Sequence, residues 1–271
     1  MKSFSKINRA MKVTLTLPLF LASSAVMAED YVSFTDAQFV DFTESDAEFF
    51  TLGSRYYFDN KATKGPLKEF DYLNTVSTVY GLVGQVNQPG PNSDVFGLGG
   101  DWFIGRFLVG AEHIDNDAFD SSQVRLGYLF APNFLAKITL LDSDAAADFL
   151  LTATYDHDLG NNKYIGFTAE VDDEMDNLTL SSKYFTPLTN GEYLTVTGTI
   201  YSSDLVDDSW ELSSEYFFNK FSSVGATIGD EEISIMGSHF FNNNISLRAE
   251  YTDYDNDLLG ESISVSGVYQ F

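Results

Sequence analysis

From about residue 148 onward, apolar and polar positions alternate with a period of two, in short runs separated by turns. The last run shows it most plainly. Ile263, Val265, Gly267, Tyr269 and Phe271 share one face, while Ser262, Ser264, Ser266 and Gln270 share the other with Val268. The run before it sets Ile245, Leu247, Ala249 and Tyr251 against Ser246, Arg248, Glu250 and Thr252. Earlier apolar faces read Ile233/Ile235/Gly237, Val224/Ala226/Ile228, Trp210/Leu212/Ser214/Tyr216 and Leu194/Val196/Gly198/Ile200. Before those come Leu178/Leu180/Ser182/Tyr184, Ile165/Phe167/Ala169/Val171 and Phe149/Leu151/Ala153/Tyr155. Successive side chains of a strand point to opposite sides, so the pattern predicts strands with one apolar and one polar face. No apolar face carries a charge, whereas Glu170, Lys183, Glu211, Glu215, Arg248 and Glu250 fall on the opposite faces. A transmembrane barrel imposes this division, because a charge facing lipid at midplane costs about 2–4 kcal/mol while the lumen is wet.

The turns are of two kinds. One set is acidic: 115–120, 172–176, 203–208, 230–232 and 253–261. The other is aromatic and rich in Asn and Pro: 57–60, 128–133, 184–187, 216–219 and 239–244. The aromatic turns recur one hairpin apart, so the hairpin is the repeating unit. Counting back from the regular half places earlier strands near 134–142, 121–129, 107–114, 94–104, 70–86, 47–58 and 30–42. The prediction is an all-β, antiparallel, up-and-down transmembrane barrel of about 16 strands with short loops. Alternation is poorer before residue 95, so 14 strands stay open. With the chain ends in the periplasm, the aromatic turns form the periplasmic girdle and the acidic loops face outward. Lys61, Lys64, Lys68, Arg106, Lys163 and Lys220 fall near the aromatic turns, and the acidic loops hold no basic residue.

The beginning of the chain sets the compartment. Lys2, Lys6, Arg9 and Lys12 precede an apolar run from Val13 to Met27, followed by the small residues of Ala25-Val26-Met27-Ala28. This is the pattern of a secretory signal peptide, residues 1–28, leaving a barrel at 29–271. The run is shorter than the roughly 20 residues that span a bilayer as a helix. Removing it takes 4 of the 15 basic residues and none of the 40 acids, shifting the formal charge from −25 to −29. Such a chain repels nucleic acid and attracts cations. High acidity with few aromatics would read as disorder, but aromatics are 15% of this chain, which marks a folded one. With no cysteine, disulfide and thiolate chemistry are excluded.

Candidate chemistry is sparse. His113, His157 and His239 lie far apart with no ligand-like spacing, so no metal site is expected. Asp156-His157-Asp158 is the only histidine flanked by acids; read as a periplasmic turn, it would sit on the wrong rim for a surface-facing barrel hydrolase. The acidic runs 172–176 and 253–257 offer oxygen ligands but lack the glycine and terminal glutamate of an EF-hand loop. They could instead bridge to lipopolysaccharide phosphates through Mg²⁺ or Ca²⁺. The functional surface is therefore the lumen. Its expected charges are Arg55, Asp101, Arg125, Lys137, Glu170, Lys183, Glu211, Glu215, Arg248 and Glu250. They would either set a transverse field or pair between neighbouring strands to hold the barrel's shape.

Lys64-Gly65-Pro66-Leu67-Lys68-Glu69 with Tyr72-Leu73-Asn74, preceded by Tyr56-Tyr57-Phe58, resembles a hairpin motif of the general porin family of Gram-negative gammaproteobacteria. Tyr269-Gln270-Phe271 is similar to the terminal signal read by the barrel-assembly machinery, with Tyr269 and Phe271 as its carriers. The resemblance implies an outer-membrane porin without a cofactor, embedded among lipid and lipopolysaccharide and assembled as a homotrimer. Unlike familiar general porins, the chain shows no long loop near the third hairpin that could fold inward as an eyelet. Sixteen strands leave an aqueous passage, which predicts passive diffusion of small hydrophilic solutes and ions. The acidic mouth predicts cation preference, weakened by salt. Two readings compete: a non-conducting structural or adhesive barrel, and an outer-membrane hydrolase. A soluble β-sandwich would bury the apolar faces and need no detergent.

Overall fold

The computed structural model describes residues 30–116, 119–142, 147–204, 207–255 and 259–271. The expected leader and parts of the acidic loops (117–118, 143–146, 205–206 and 256–258) lie outside the described residues. The strands of the first half are β1 (Asp30–Phe42), β2 (Ala47–Ala62), β3 (Thr78–Asn87), β4 (Ser93–Ile104), β5 (Phe107–Asn116), β6 (Phe119–Ala131), β7 (Phe134–Asp142) and β8 (Phe149–Gly160). Those of the second are β9 (Lys163–Asp172), β10 (Asn177–Pro187), β11 (Tyr193–Ser203), β12 (Ser209–Phe217), β13 (Ser222–Gly229), β14 (Glu232–Phe240), β15 (Ile245–Tyr254) and β16 (Glu261–Gln270). Each strand pairs antiparallel with its sequence neighbours, and β1 pairs with β16, closing a 16-stranded barrel. Closure leaves no unpaired edge. The 14-strand alternative is thereby set aside. Among the described residues no helix is long and apolar enough to cross a membrane.

Register carries the two-faced pattern around the ring. Val265 of β16 lies opposite Ala249 and Phe39, and Ser266 lies opposite Arg248 and Gln38, so each face continues across the seam. The outer face exposes Leu98, Leu126, Ile200, Leu212, Ile235 and Val265. An apolar surface encircling the whole protein far exceeds the few hundred Å² that a water-soluble monomer leaves bare, so its solvent is lipid. The inner face is lined by Thr139, Thr152, Ser234, Thr252 and Ser262, all buried.

The two rims differ as their sequences do. At one rim, which also holds the first residue of β1 and the last of β16, rings gather in edge and tilted contacts. They include Tyr56–Phe58, Phe58–Trp102, Phe107–Tyr128, Tyr128–Phe130 and Tyr216–Phe218, with centroids 5.1–5.2 Å apart. Such a belt suits the membrane–water interface. The turns here are tight: Asn161 and Asn162 join β8 to β9 with φ of 55° and 61°, the doubly left-handed backbone of a two-residue hairpin turn.

One connection at this rim departs from the expectation. Residues 70–77, counted as strand from the sequence, are not strand; β3 begins at Thr78 and β2 runs on to Ala62. The intervening residues 63–77 fold into the barrel. Leu73 packs there with Leu108, Leu129 and Leu135, and Leu67 is fully buried. The sequence pattern failed here because a segment surrounded on all sides has no fixed two-faced period.

Candidate functional site

The lumen is built from the polar face of every strand, crossed near the aromatic rim by residues 63–77. This segment is tied to opposite walls. Leu67 donates its backbone N–H to the carbonyl of Lys220, in the β12–β13 turn, at 3.0 Å, and accepts from Gln270 Nε2 of β16 at 3.1 Å. Lys68 bonds Glu215 of β12 and reaches Ser238 Oγ of β14 at 3.4 Å. Glu69, only 3% exposed, accepts from the Tyr164 hydroxyl and from Lys183 Nζ, which lies 2.8 Å from both carboxylate oxygens. Phe70 meets Phe34 edge-on at 5.4 Å, and the Tyr72 hydroxyl lies 2.9 Å from Thr168 Oγ1. The segment therefore touches walls from β1 round to β16 and divides this end of the lumen. A cavity of about 280 Å³ remains beside Phe34, Lys68, Phe70 and Arg248, and one of about 260 Å³ beside Arg55, Asp101, Arg125 and Lys137. Burial lowers the pKa of the Lys68 ammonium from its usual value, and the Glu215 carboxylate opposes the shift.

Local sequence allows this docking. The Tyr72 ring lies where a β-carbon on Gly166 would be 2.2 Å from it, so β9 must be bare at that point. Gly65, at φ 142°, turns the chain inward beside the Tyr193 ring. The sequence reading did not find this inward segment, and it lies in the β2–β3 connection, not in a long loop of the third hairpin. Lys64-Gly65-Pro66-Leu67-Lys68-Glu69 is its first half, not a hairpin turn. Lys68, expected on the rim, is inside.

All of the sequence-predicted charges lie on the inward parity of their strands, but their pairings differ from simple neighbour contacts. Arg125 of β6 reaches over β5 to Asp101 of β4, Nε to Oδ1 at 2.8 Å. The bond crosses Gly110, where a β-carbon would stand 2.1 Å from the Asp101 oxygen. Arg125 also approaches Glu112 at 3.5 Å and donates to the Tyr80 hydroxyl at 2.7 Å, and Tyr80 in turn donates to Glu112. Arg55 stacks its guanidinium 4.5 Å from the centre of the same Tyr80 ring. Lys183 belongs to the inward segment through Glu69, and Glu215 does so through Lys68. Arg248 bonds Glu250 on its own strand at 2.8 Å, and Glu250 also accepts from Ser234. Glu170 accepts from Thr152 at 2.8 Å. Lys137 and Glu211 make no ion pair among the described residues.

Sequence reasoning missed Glu112, Tyr80, Glu69 and Tyr164. Glu112 was within reach, since it alternates with the outward Ala111 on β5. Glu69 and Tyr164 were not, because their meeting depends on a fold-back 95 residues apart in sequence. The histidine reading is also corrected. Asp156-His157-Asp158 is part of β8 and not a turn, so alternation sends His157 outward while both acids point inward. His157 stacks on Tyr155 and bonds its hydroxyl at 3.0 Å, so the acids flanking it in sequence do not share its face. His113 and His239 are likewise outward, beside Ser122 and Ser222. At the acidic rim, Asp172 accepts from the backbone N–H of Asp176 at 2.9 Å and of Asn177 at 3.3 Å, so its carboxylate closes its own turn. Of the 253–261 loop, residues 256–258 lie outside the described residues.

With a closed barrel, a lipid-facing belt and a polar interior in place, comparison with known proteins becomes decisive. A family model described as "Putative general bacterial porin" matches residues 9–269. The chain belongs to this family. It is an outer-membrane porin, and both the fold and the family point to a channel rather than an enzyme. Among solved structures, the porin aligns with the outer-membrane protein Omp33 of Acinetobacter baumannii at 16% identity and a TM-score of 0.58, covering 90% of this chain and 100% of that one. It aligns with a multiple mutant of the Rhodopseudomonas blastica porin at 10% identity and a TM-score of 0.51, covering 89% and 99%. At these identities the likeness is one of fold. No curated protein matches the chain.

Proposed function

We propose that this porin is a passive diffusion channel for small hydrophilic solutes and ions, cation-preferring at its acidic rim, with residues 63–77 setting its narrowest cross-section. The observation that carries this is the inward segment itself: a polar lumen crossed by one stretch of chain bonded to its walls. The acidic rim would face outward and the aromatic rim, with both termini, the periplasm. Residues 1–28 would be removed on export, and Tyr269 and Phe271 would be presented to the barrel-assembly machinery. A homotrimer, with Mg²⁺ or Ca²⁺ bridging the acidic loops to lipopolysaccharide, completes the proposal.

The lumen charges would act on ions by position. Acids outnumber bases 40 to 15 in the chain, and the potential of an acidic mouth raises local cation concentration until salt screens it. The full burial of Leu67 and of Glu69's bonds to two strands also favours a barrel with little resting conductance. Planar-bilayer recording under a KCl gradient separates the two. The channel reading expects steps whose reversal potential marks cation selectivity and whose preference declines with salt. A silent barrel that gains current only when the segment is shortened would favour the closed reading. Anion selectivity would sink the electrostatic part of the proposal.

A further inference from the structure

The cavity beside the inward segment inverts the charge balance of the chain. It is lined by three cations, Arg55, Arg125 and Lys137, and a single carboxylate, Asp101. Asp101 is already engaged by Arg125, which Glu112 and Tyr80 hold from the other side. Arg55 and Lys137 make no ion pair among the described residues, although Lys64, Lys68, Lys183 and Arg248 each find an acid. In so acidic a protein, two cations without an acidic partner that face one small space leave positive charge there for an anion to neutralise.

Their setting favours an anion. Arg55 is held over the Tyr80 ring, so the guanidinium is oriented with its fork free, the geometry that takes a carboxylate through two parallel hydrogen bonds. Lys137 approaches from β7, and between Lys137 and Arg55 the Asp101–Arg125 pair forms a fixed wall. Leu73, Phe103, Leu108 and Leu135 give the space an apolar side opposite the cations, against which the carbons of such an acid can pack. The volume, about 260 Å³, suits an acid of a few carbons.

We infer that Arg55 and Lys137, with Arg125 behind them, form a binding site for small carboxylates inside the channel. This inference rests on the channel reading, and it makes carboxylates a solute class that pauses in the passage. A solute carrying both an ammonium and a carboxylate would meet the acidic rim with one end and this site with the other.

The test is calorimetric titration of the refolded barrel in detergent with succinate and with uncharged succinamide, repeated on the Arg55→Gln/Lys137→Gln double variant. Succinate should bind, succinamide should not, and the double variant should bind succinate roughly tenfold more weakly or worse, each tenfold being about 1.4 kcal/mol. Heat-resistant β structure on gels confirms that the variant is folded. Equal binding of the two probes, or undiminished binding by the folded double variant, overturns the site. Bilayer recordings on the same samples keep the two readings apart. Succinate binding without current supports the site and sinks the channel, whereas current without succinate binding supports the channel and sinks the site.

Discussion

Two connections at the same rim show how differently this chain closes a hairpin. Between β8 and β9, Asn161 and Asn162 turn the chain in two residues, both in the left-handed region. Between β2 and β3, residues 63–77 enter the barrel and are satisfied by the lumen: Glu69 by Lys183 and Tyr164, Lys68 by Glu215, and Leu73 by Leu108, Leu129 and Leu135. Both follow aromatic strand ends, so the outer girdle is indifferent to which kind of turn comes next. The difference lies in the inner wall. Gly166 and the inward polar positions of β9, β10 and β12 accept the segment. The barrel and its inward segment are thus separable: the first is specified by strand pairing, the second by side chains facing the lumen.

Replacing residues 64–76 by an Asn-Gly turn breaks the comparison most completely. The barrel should still form, seen as heat-resistant β structure on gels, and single-channel conductance should rise severalfold. A Glu69→Gln variant removes one residue's charge and leaves Lys183 without its partner. Breaking a buried pair costs about 3–5 kcal/mol, and the low end applies because Lys183 is partly exposed. The expected readout is faster proteolytic cleavage within 63–77, with the barrel's own melting little changed. Gly166→Val would push the Tyr72 ring out of place. Overpacking of that kind costs about 1–3 kcal/mol, so conductance should become noisier without the full rise. The smallest effect belongs to the ordinary turn. Asn162→Ala forces a residue with a larger φ penalty into the left-handed region, costing about 1 kcal/mol, and conductance should not change.

The same contrast explains what the sequence could disclose. The strands of the second half were legible because lipid on one side and water on the other impose a period of two. Counting back from them reached the bounds of β7 and β1, the latter through a stretch of poorer alternation. The inward parity of Arg55, Asp101 and Arg125 followed from that period. Their partners did not: the Arg125–Asp101 bond skips a whole strand, which only Gly110 permits. Residues 70–77 were misread because Leu73 and Tyr72 serve a lumen of mixed polarity, and no periodicity reports contacts with several walls at once. His157 erred in the opposite direction. Its flanking acids made the triplet read as a turn, whereas it belongs to β8 and strand alternation separates the ring from both acids in space.

The most direct test of the channel itself is single-channel current through the refolded native barrel under a KCl gradient. Stable small steps with a cation-selective reversal potential are expected, with acids at the rim drawing cations into a lumen narrowed by residues 63–77. A correctly folded barrel that stays silent, and stays silent when that segment is cut back to a two-residue turn, would contradict the account.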